Sequence, residues 1–588
     1  MSAVLEAREP SARYLADAQP ALVRQFEMLA TAPGGVARLR DLILRLAVQG
    51  KLVQQREHDN PVAVLLREAE PAKEGAAFRS RFKATKTDDE LIAPFALPES
   101  WAWVRLGEVT DISGGVTLGR KGTVEQPITL PYLRVANVQR WNVLCQDLKT
   151  VTIAKTELDR YQLRAGDLLI TEGGDWDKVG RTAIWSGELP ICLHQNHVFK
   201  ARGLTPSWNS EWAQVYLNSP VARAYFASCS KQTTNLASIN MTQLKACAFP
   251  LPPVAEQARI VARVDELMRL CDALEAQGRL EAEQHARLLG TLLGTLTDSS
   301  TPEELAANWK RVADHFDLLL DRPEAVDALE QTVLQLAVRG LLVPQDPRDE
   351  PASELLKAIR EEKSRWSNER RGRREAPESR TDRLGVPFAA PPGWSWVGPD
   401  QVALQITDGT HHTPKYQARG VAFISVKDIN GSTVNFSDCK YIAEDEHREI
   451  NARCNPERGD LLLCRIGTLG RATLVDTDRP FSLFVSVGLI KLPKSKDIGR
   501  YLHMVLSSPL LAEQYQSIKA GGSHTNKLNL GDIPRLQIPL PPLAEQARIV
   551  ARVTELRRLC TNLRQRLNLS KATQTALADA LVDPALAA

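Results

Sequence analysis

Two 21-residue segments of this chain, 289 positions apart, are almost the same. Leu251–Cys271 reads LPPVAEQARIVARVDELMRLC and Leu540–Cys560 reads LPPLAEQARIVARVTELRRLC. They differ at Val254/Leu543, Asp265/Thr554 and Met268/Arg557, leaving 18 of 21 positions identical. Other landmarks keep nearly the same offset. LAVQGKLV (Leu46–Val53) answers LAVRGLLV (Leu336–Val343), Trp101-Ala-Trp103 answers Trp394-Ser-Trp396, and Gly166-Asp-Leu-Leu answers Gly459-Asp-Leu-Leu. A duplication constrains architecture before any local propensity does, because each copy must bury equivalent faces in equivalent ways. The 588 residues are two copies of one unit of about 290.

The copies are unequally alike. The segments after the Leu-Pro-Pro motifs are nearly identical, whereas Leu106–Ala246 and Ala403–Leu536 share only landmarks. That contrast implies one function needed twice unchanged and another needed in two versions.

The shared segment predicts a helix. Ile260, Val264, Leu267, Cys271 and Leu274 step by 4, 3, 4 and 3, as do Ile549, Val553, Leu556, Cys560 and Leu563. A 3.5-residue period marks a coiled-coil seam. Pro252-Pro253 and Pro541-Pro542 cannot sit inside a helix, so they mark stiff strand-to-helix junctions. The pattern runs over Val254–Leu293, about 60 Å at the helical rise. A dimerisation coiled coil is the plainest use of such a helix, but two copies in one chain can pair with each other. Further helices are expected at Leu39–Val53 and Leu329–Val343, each closed by a glycine, Gly50 or Gly340. Short helices follow at Pro61–Ala69 and Pro351–Arg370, and the charged stretches Lys73–Glu90 and Glu361–Arg383 read as linkers.

The divergent segments hold short apolar runs bounded by Gly, Asp and Asn, such as Tyr132–Val135, Asp167–Ile170, Ala422–Val426 and Asp460–Leu463. These read as strands, with two helices near Glu211–Asn218 and Ser219–Cys229. The expected fold is α+β: two globular domains at 94–250 and 387–539, separated by long antiparallel coiled-coil helices in a pseudo-two-fold, circular internal repeat. Residues 1–93 form an N-terminal helical segment and linker, 251–386 a central helical region and linker, and 540–588 the C-terminal repeated helix. The chain ends soon after that last helix, and an apolar face at Leu42, Leu46, Val48 and Leu52 needs cover. The N-terminal segment is therefore expected to pack with the C-terminal helix and close the repeat.

Composition narrows the function. Hydrophobic residues make up 43% and charged residues 25%, which suits core-forming domains. Lys plus Arg number 74 against 71 acidic residues, so bulk charge alone does not hold this chain to nucleic acid. Nine cysteines without a Cys-x-x-Cys spacing argue against a zinc ribbon or disulfide framework. No apolar run is long enough to span a membrane, and Met1–Pro20 has no signal-peptide core, so a cytoplasmic location is expected. No phosphate-cradling loop, no Gly-x-Gly-x-x-Gly after a strand and no Asn/Asp-Pro-Pro-Tyr is present. His411-His412 and His194…His197 lack metal-ligand spacing, and Glu361-Glu-Lys363 lies on a charged helical run. No catalytic residue and no metal are expected.

Paired Leu-Pro-Pro-x-Ala-Glu-Gln-x-x-Ile-Val helices, each following a divergent domain, resemble the DNA-specificity subunit of a type I restriction-modification enzyme. Trp101-Ala-Trp103-Val-Arg-Leu-Gly-Glu, Arg164-Ala-Gly-Asp-Leu-Leu-Ile170 and Asp408-Gly-Thr-His-His-Thr-Pro414 agree with it. The resemblance covers about Arg38–Leu581. It implies a non-catalytic chain whose two target-recognition domains each read half of a bipartite site in double-stranded DNA. Its repeated helices would dock two modification subunits, the adenine methyltransferases that carry S-adenosylmethionine. Two motor-nuclease restriction subunits, which use ATP and Mg, would join them, and this chain itself would hold no cofactor. Residues before Arg38 fall outside the pattern.

Base and phosphate contacts need polar or cationic side chains on loops held by strands. In the first domain the candidates are Thr117, Arg120 and Lys121, then Lys178 and Arg181, then Lys231, Gln232, Thr233, Thr234 and Asn235. In the second they are Thr410, His411, His412 and Lys415, then Arg465 and Thr468, then Lys519, Ser523, His524, Thr525, Asn526 and Lys527. Gly174 and Gly467 read as backbone requirements. For partner docking, the repeated helices offer Glu256, Gln257, Arg259 and Arg263 and their counterparts Glu545, Gln546, Arg548 and Arg552, because the identity extends beyond the seam. Ordinary polar turns remain an alternative for each loop. A structural scaffold holding two copies of a protein partner, without reading DNA, and a fused nuclease or methyltransferase remain alternatives for the chain.

Overall fold

The computed structural model describes residues 32–59, 62, 91–119, 125–174, 178–205, 207–233, 236–299, 301–369, 386–518 and 527–587. They fall into two compact units. One holds the residues up to Leu280 together with those from Lys571 onward, and the other holds Glu281–Ser570.

In the first unit, helix α1 (Gly35–Val48) leads to a strand-rich domain and then to the 45-residue helix α2 (Val254–Asp298). The domain opens and closes on one two-stranded ladder, in which Ala102–Arg105 runs antiparallel to Ala248–Leu251. Between them lie a four-stranded antiparallel sheet, ordered Thr110–Ser113, Val198–Gly203, Leu168–Thr171, Thr182–Ile184, and a three-stranded mixed sheet, Lys149–Ala154, Pro127–Leu133, Leu193–His194. The two expected domain helices span Ser210–Leu217 and Pro220–Cys229.

The second unit repeats this order. Helix α3 (Pro323–Arg339) and helix α4 (Ala352–Glu369) precede a domain framed by Ser395–Val397 against Ile538–Leu540. Its four-stranded sheet runs Gln405–Asp408, Val487–Lys491, Leu461–Cys464, Ala472–Leu474, and its mixed sheet runs Lys440–Ile442, Val421–Ile424, Phe481–Leu483. Helix α5 (Leu543–Ala587) follows. The divergent segments therefore share one topology, so the duplication extends through the whole unit. Helix α2 starts in the first unit and ends in the second, while α5 starts in the second and ends in the first.

Several landmarks owe their identity to folding. Asp167 and Asp460 of the Gly-Asp-Leu-Leu motifs are fully buried. Each accepts a backbone N–H three residues earlier, from Arg164 at 2.7 Å and Glu457 at 2.9 Å, and each pairs with a cation, Arg202 at 2.6 Å and Lys491 at 3.0 Å. A buried carboxylate needs this full set of donors. Gly50 and Gly340 take φ of 71° and 75°, closing α1 and α3 as expected. A Cβ there would stand 2.5 Å from Pro98 and 2.8 Å from Pro391.

Three expectations change. The helix expected over Pro351–Arg370 is present as α4 (Ala352–Glu369), so the overlapping charged run Glu361–Arg383 does not begin as a linker. Lys363 donates to the Asp400 carbonyl at 2.8 Å and Glu362 accepts from the Lys494 N–H at 2.8 Å, so the domain fixes these charges in a helix. The seam residues also do more than pair the long helices. Ile260, Val264, Leu267 and Cys271 join Leu39 and Ile43 of α1 in the first core, and Ile549 and Val553 join Val333 of α3 in the second. Seam pairing appears further along, where Leu289, Leu293 and Leu296 share a cluster with Cys560, Leu563 and Leu567. Finally, α1 shares its core with the domain helices Ser210–Leu217 and Pro220–Cys229 as well as with α2, and α3 likewise packs with Gly499–Leu506 and Pro509–Ile518 as well as with the start of α5. Helix α1 does reach the far end of α5: Arg38 donates to Asp579 at 2.5 Å, and Ala578 lies in the same core. The expected helix at Pro61–Ala69 and the linker Lys73–Glu90 lie outside the described residues, apart from Val62.

Candidate nucleic-acid interface

The repeated helices begin at a junction built twice with the same parts. Gln257 and Gln546 donate back to the carbonyls of Pro252 and Pro541 at 2.8 and 2.9 Å, closing a turn that proline leaves without its own N–H. Glu256 accepts from Gln55 at 2.5 Å, and Glu545 accepts from the Trp394 indole at 3.0 Å. Burial raises the pKa of both carboxyls above the ordinary value, against the hydrogen bonds that lower it. Arg259 and Arg548 pair with Asp59 and Asp349, each at 2.6 Å. Glu256, Gln257, Glu545 and Gln546, expected on an outward face, are thus about 1% exposed and interior to the junction. Much of the 18-of-21 identity follows from that. Arg263 and Arg552 each pair with the glutamate three residues on, Glu266 or Glu555, at 2.7 Å, and Arg552 retains the larger exposure.

The candidate reading loops gather at one edge of each four-stranded sheet. In the second domain Asp408 ends the first strand and organises that edge. It receives Arg453 at 3.0 Å and Arg465 at 2.5 Å, and His411 Nε2 lies 3.1 Å from it. Burial disfavours its charged form, but the two guanidinium hydrogen bonds outweigh this and hold its pKa below the ordinary carboxylate range. Arg453 also donates to the Gly409 carbonyl at 2.6 Å. The loop from Arg465 to Thr468 meets Lys527 through an Ile466–Lys527 bridge, and the Leu528 N–H donates to the Arg465 carbonyl at 2.8 Å. Thr410, His411, His412, Arg465, Thr468 and Lys527 are therefore brought together, with Lys415 exposed further along the first of these loops.

Their roles separate by burial. Arg465, expected to touch DNA, is 4% exposed and also donates to the Leu528 and Val485 carbonyls. It pins the loops. Thr410 is buried too, with its hydroxyl 2.7 Å from His412 Nδ1. His411, His412, Lys415, Thr468 and Lys527 are exposed. Gly467 takes φ of 83°, the backbone requirement expected of it. Lys519, Ser523, His524, Thr525 and Asn526 lie outside the described residues.

The first domain builds the equivalent edge from other groups. Glu172 follows the strand Leu168–Thr171 as Arg465 follows Leu461–Cys464, and its carboxylate lies 2.6 Å from His197 Nδ1. Its backbone accepts from Ile239 and donates to His197, tying two loops together. The hairpin of Lys231–Thr233 and Leu236–Ser238 pairs with Gly173–Gly174, beside Lys178. A Cβ on Gly174 would stand 2.8 Å from the Lys178 Cβ. Thr117 is exposed one residue after the Val116–Gln195 bridge, and Arg181 donates to Gln139 at 2.5 Å. Arg120, Lys121, Thr234 and Asn235 lie outside the described residues, and Lys231, Gln232 and Thr233 are placed by their backbone alone.

Sequence reasoning missed Gln139, Trp141 and Arg453. Trp141 sits with φ of 70° at the tip of the turn closed by Val138 and Val143, and is 42% exposed. A tryptophan amid the polar run Asn137–Asn142 was the available signal. His194, by contrast, is a core residue. Burial pushes its pKa down to about 4, and its Nδ1 lies 2.7 Å from the Val198 carbonyl. Among the described residues no group of His, Cys, Asp and Glu could hold a metal ion, and no helix is long and apolar enough to cross a membrane.

The chain thus carries two like domains with unlike loop edges, each leading into a long helix begun by a like junction. The family model for the type I restriction modification DNA specificity domain matches residues 98–284 and 411–570. The chain is 30% identical over 564 residues to the type I restriction enzyme EcoAI specificity subunit of Escherichia coli, covering 94% of each chain. It is 29% identical over 570 residues to the EcoEI specificity subunit of the same organism, again with 94% of each covered. A solved chain from work on assembly and conformational transition of the type I R-M system aligns at 16% identity and a TM-score of 0.47, covering 84% of this chain and 99% of that one. The chain belongs to the type I restriction-modification DNA specificity family.

Proposed function

We propose that this chain is the DNA-reading, non-catalytic subunit of a type I restriction-modification complex. Each strand-rich domain reads one half of a bipartite asymmetric site, and the long helices fix the distance between the halves. The observation that carries this reading is the pairing of one topology with two different loop edges, Glu172/His197 in one domain and Asp408/Arg465 in the other. Two modification subunits dock on the repeated helices and supply S-adenosylmethionine-dependent adenine methylation. Restriction subunits that use ATP and Mg join for cleavage, and this chain carries no cofactor. Because Glu256, Gln257 and their counterparts are interior, docking falls to exposed positions beyond them, Arg552 included.

Exchanging residues 94–250 for the corresponding domain of a relative, then mapping methylated adenines, tests the reading. One half of the site should change and the other stay. A change in both halves, or in neither, contradicts it. Within the second domain, Lys415→Ala and Lys527→Ala should each lower the salt dependence of DNA binding by about one phosphate's worth, with little change of sequence preference. A scaffold that does not read DNA would show no sequence-dependent affinity at all.

A further inference from the structure

Each unit docks a helix of the Leu-Ala-Val-x-Gly type onto the start of a long helix, and most of that surface is duplicated. Leu39 and Leu329, Ile43 and Val333, Val264 and Val553, and Cys271 and Cys560 occupy equivalent buried positions. The flanking pairs Arg259–Asp59 and Arg548–Asp349 even keep the same sign. By shape and apolar content, either docking helix suits either long helix. Asp41 with Arg223 at 2.7 Å and Arg38 with Asp579 at 2.5 Å tie α1 to elements beyond the start of α2. Where docking helix meets the start of a long helix, one set of charged contacts breaks the equivalence.

Arg40 lies six residues before the Leu-Ala-Val motif of α1, and Glu330 lies six before that of α3. Glu275 follows Cys271 by four residues, and Arg564 follows Cys560 by four. In the first unit Arg40 pairs with Asp272 at 2.6 Å and Glu275 at 2.7 Å. In the second, Glu330 pairs with Arg557 at 3.1 Å and Arg564 at 2.9 Å, and Asp327 adds a contact to Arg564 at 2.7 Å. Arg40–Glu275 is answered at matching positions by Glu330–Arg564 with its polarity reversed, while Asp272 and Arg557 reinforce it from positions whose counterparts, Thr561 and Met268, are uncharged.

We infer that this reversed ion pair is an identity code, which assigns each docking helix to its own long helix and rejects the other long helix of a second copy of the chain. Exposed ion pairs add little to stability, so the benefit of the matched arrangement is small. The discrimination comes from the difference between right and wrong partners. Placed on α5, Arg40 would face Arg557 and Arg564; placed on α2, Glu330 would face Asp272 and Glu275. Every attraction becomes a repulsion. A chain carrying two nearly identical docking surfaces needs such a device, because apolar burial alone is non-directional.

The decisive variant keeps an ion pair but erases the difference between copies. In Arg40→Glu/Asp272→Arg/Glu275→Arg the first unit acquires the polarity of the second. Thermal stability of its monomer should match the wild type, whereas Arg40→Glu alone should lower it. On expression, and again on refolding from urea, size-exclusion chromatography with light scattering should find the triple variant roughly half as exchanged dimer or larger species, since the two dockings are then alike in charge. The wild type should be monomeric under the same conditions. If the triple variant gives monomer in wild-type yield, the code does not exist. If it melts as low as Arg40→Glu alone, these side chains act through packing and not charge, and the inference also fails.

Discussion

The two strand-rich domains share a strand order, a framing ladder and a buried motif aspartate, yet their loop edges are held by opposite means. In the second domain a carboxylate, Asp408, is buried between two guanidiniums and gathers three loops. In the first, the position matching Arg465 is an acid, Glu172, and its partner His197 is largely exposed. The junctions at the long helices differ far less. A segment facing a constant neighbour keeps its residues, whereas a loop edge keeps only what its own sheet demands and is free to change its surface chemistry.

That comparison can be broken by unequal stability effects. Asp408→Asn should destabilise the second domain by about 3–5 kcal/mol, because it strands the buried Arg465. Hydrogen exchange along Gln405–Asp408 reports it; an effect below about 1 kcal/mol would mean the pair does not organise the edge. At the junctions the copies should agree. Asp59→Ala and Asp349→Ala should each cost about 1.5–3 kcal/mol, the range for hydrogen bonds to charged groups, and should match within about 0.5 kcal/mol in urea titrations.

Acid should sharpen the contrast. His194 has a depressed folded-state pKa of about 4, so the unfolded chain binds the extra proton below its ordinary value near 6.5. Its contribution is full at pH 7 and falls as the pH drops from about 6.5 toward 4. Between pH 7 and pH 5 the first domain should lose about 2 kcal/mol, a slope that His194→Gln removes. For Asp408 the depressed carboxylate pKa sets a lower window: its stabilisation persists above the unfolded value near 4 and disappears as the pH falls through the folded one. The smallest effect belongs to Glu172→Gln, which should cost under about 1 kcal/mol because its pair faces solvent. A loss equal to that of Asp408→Asn would erase the distinction between the two edges.

The sequence by itself determined the duplication, the proline-closed junctions, the helix stops at Gly50 and Gly340, and the strands around both Gly-Asp-Leu-Leu motifs. These depend on neighbours in the chain or on matches between copies, and both can be read along a line of residues. Only the tertiary structure decided which polar residues are free to meet another molecule. Arg465 and His411 stand in similar loop sequences, yet one is buried against Asp408 and the other is exposed. Glu256 looks like a surface glutamate until Gln55, 201 positions away, closes over it. The charges on α1 and α3 acquire meaning from partners more than 200 residues distant, Arg40 with Asp272 and Glu330 with Arg564. Periodicity reports which face of a helix is apolar, but a polar side chain's role depends on whether water or a distant donor satisfies it, and that is settled only when the chain is folded.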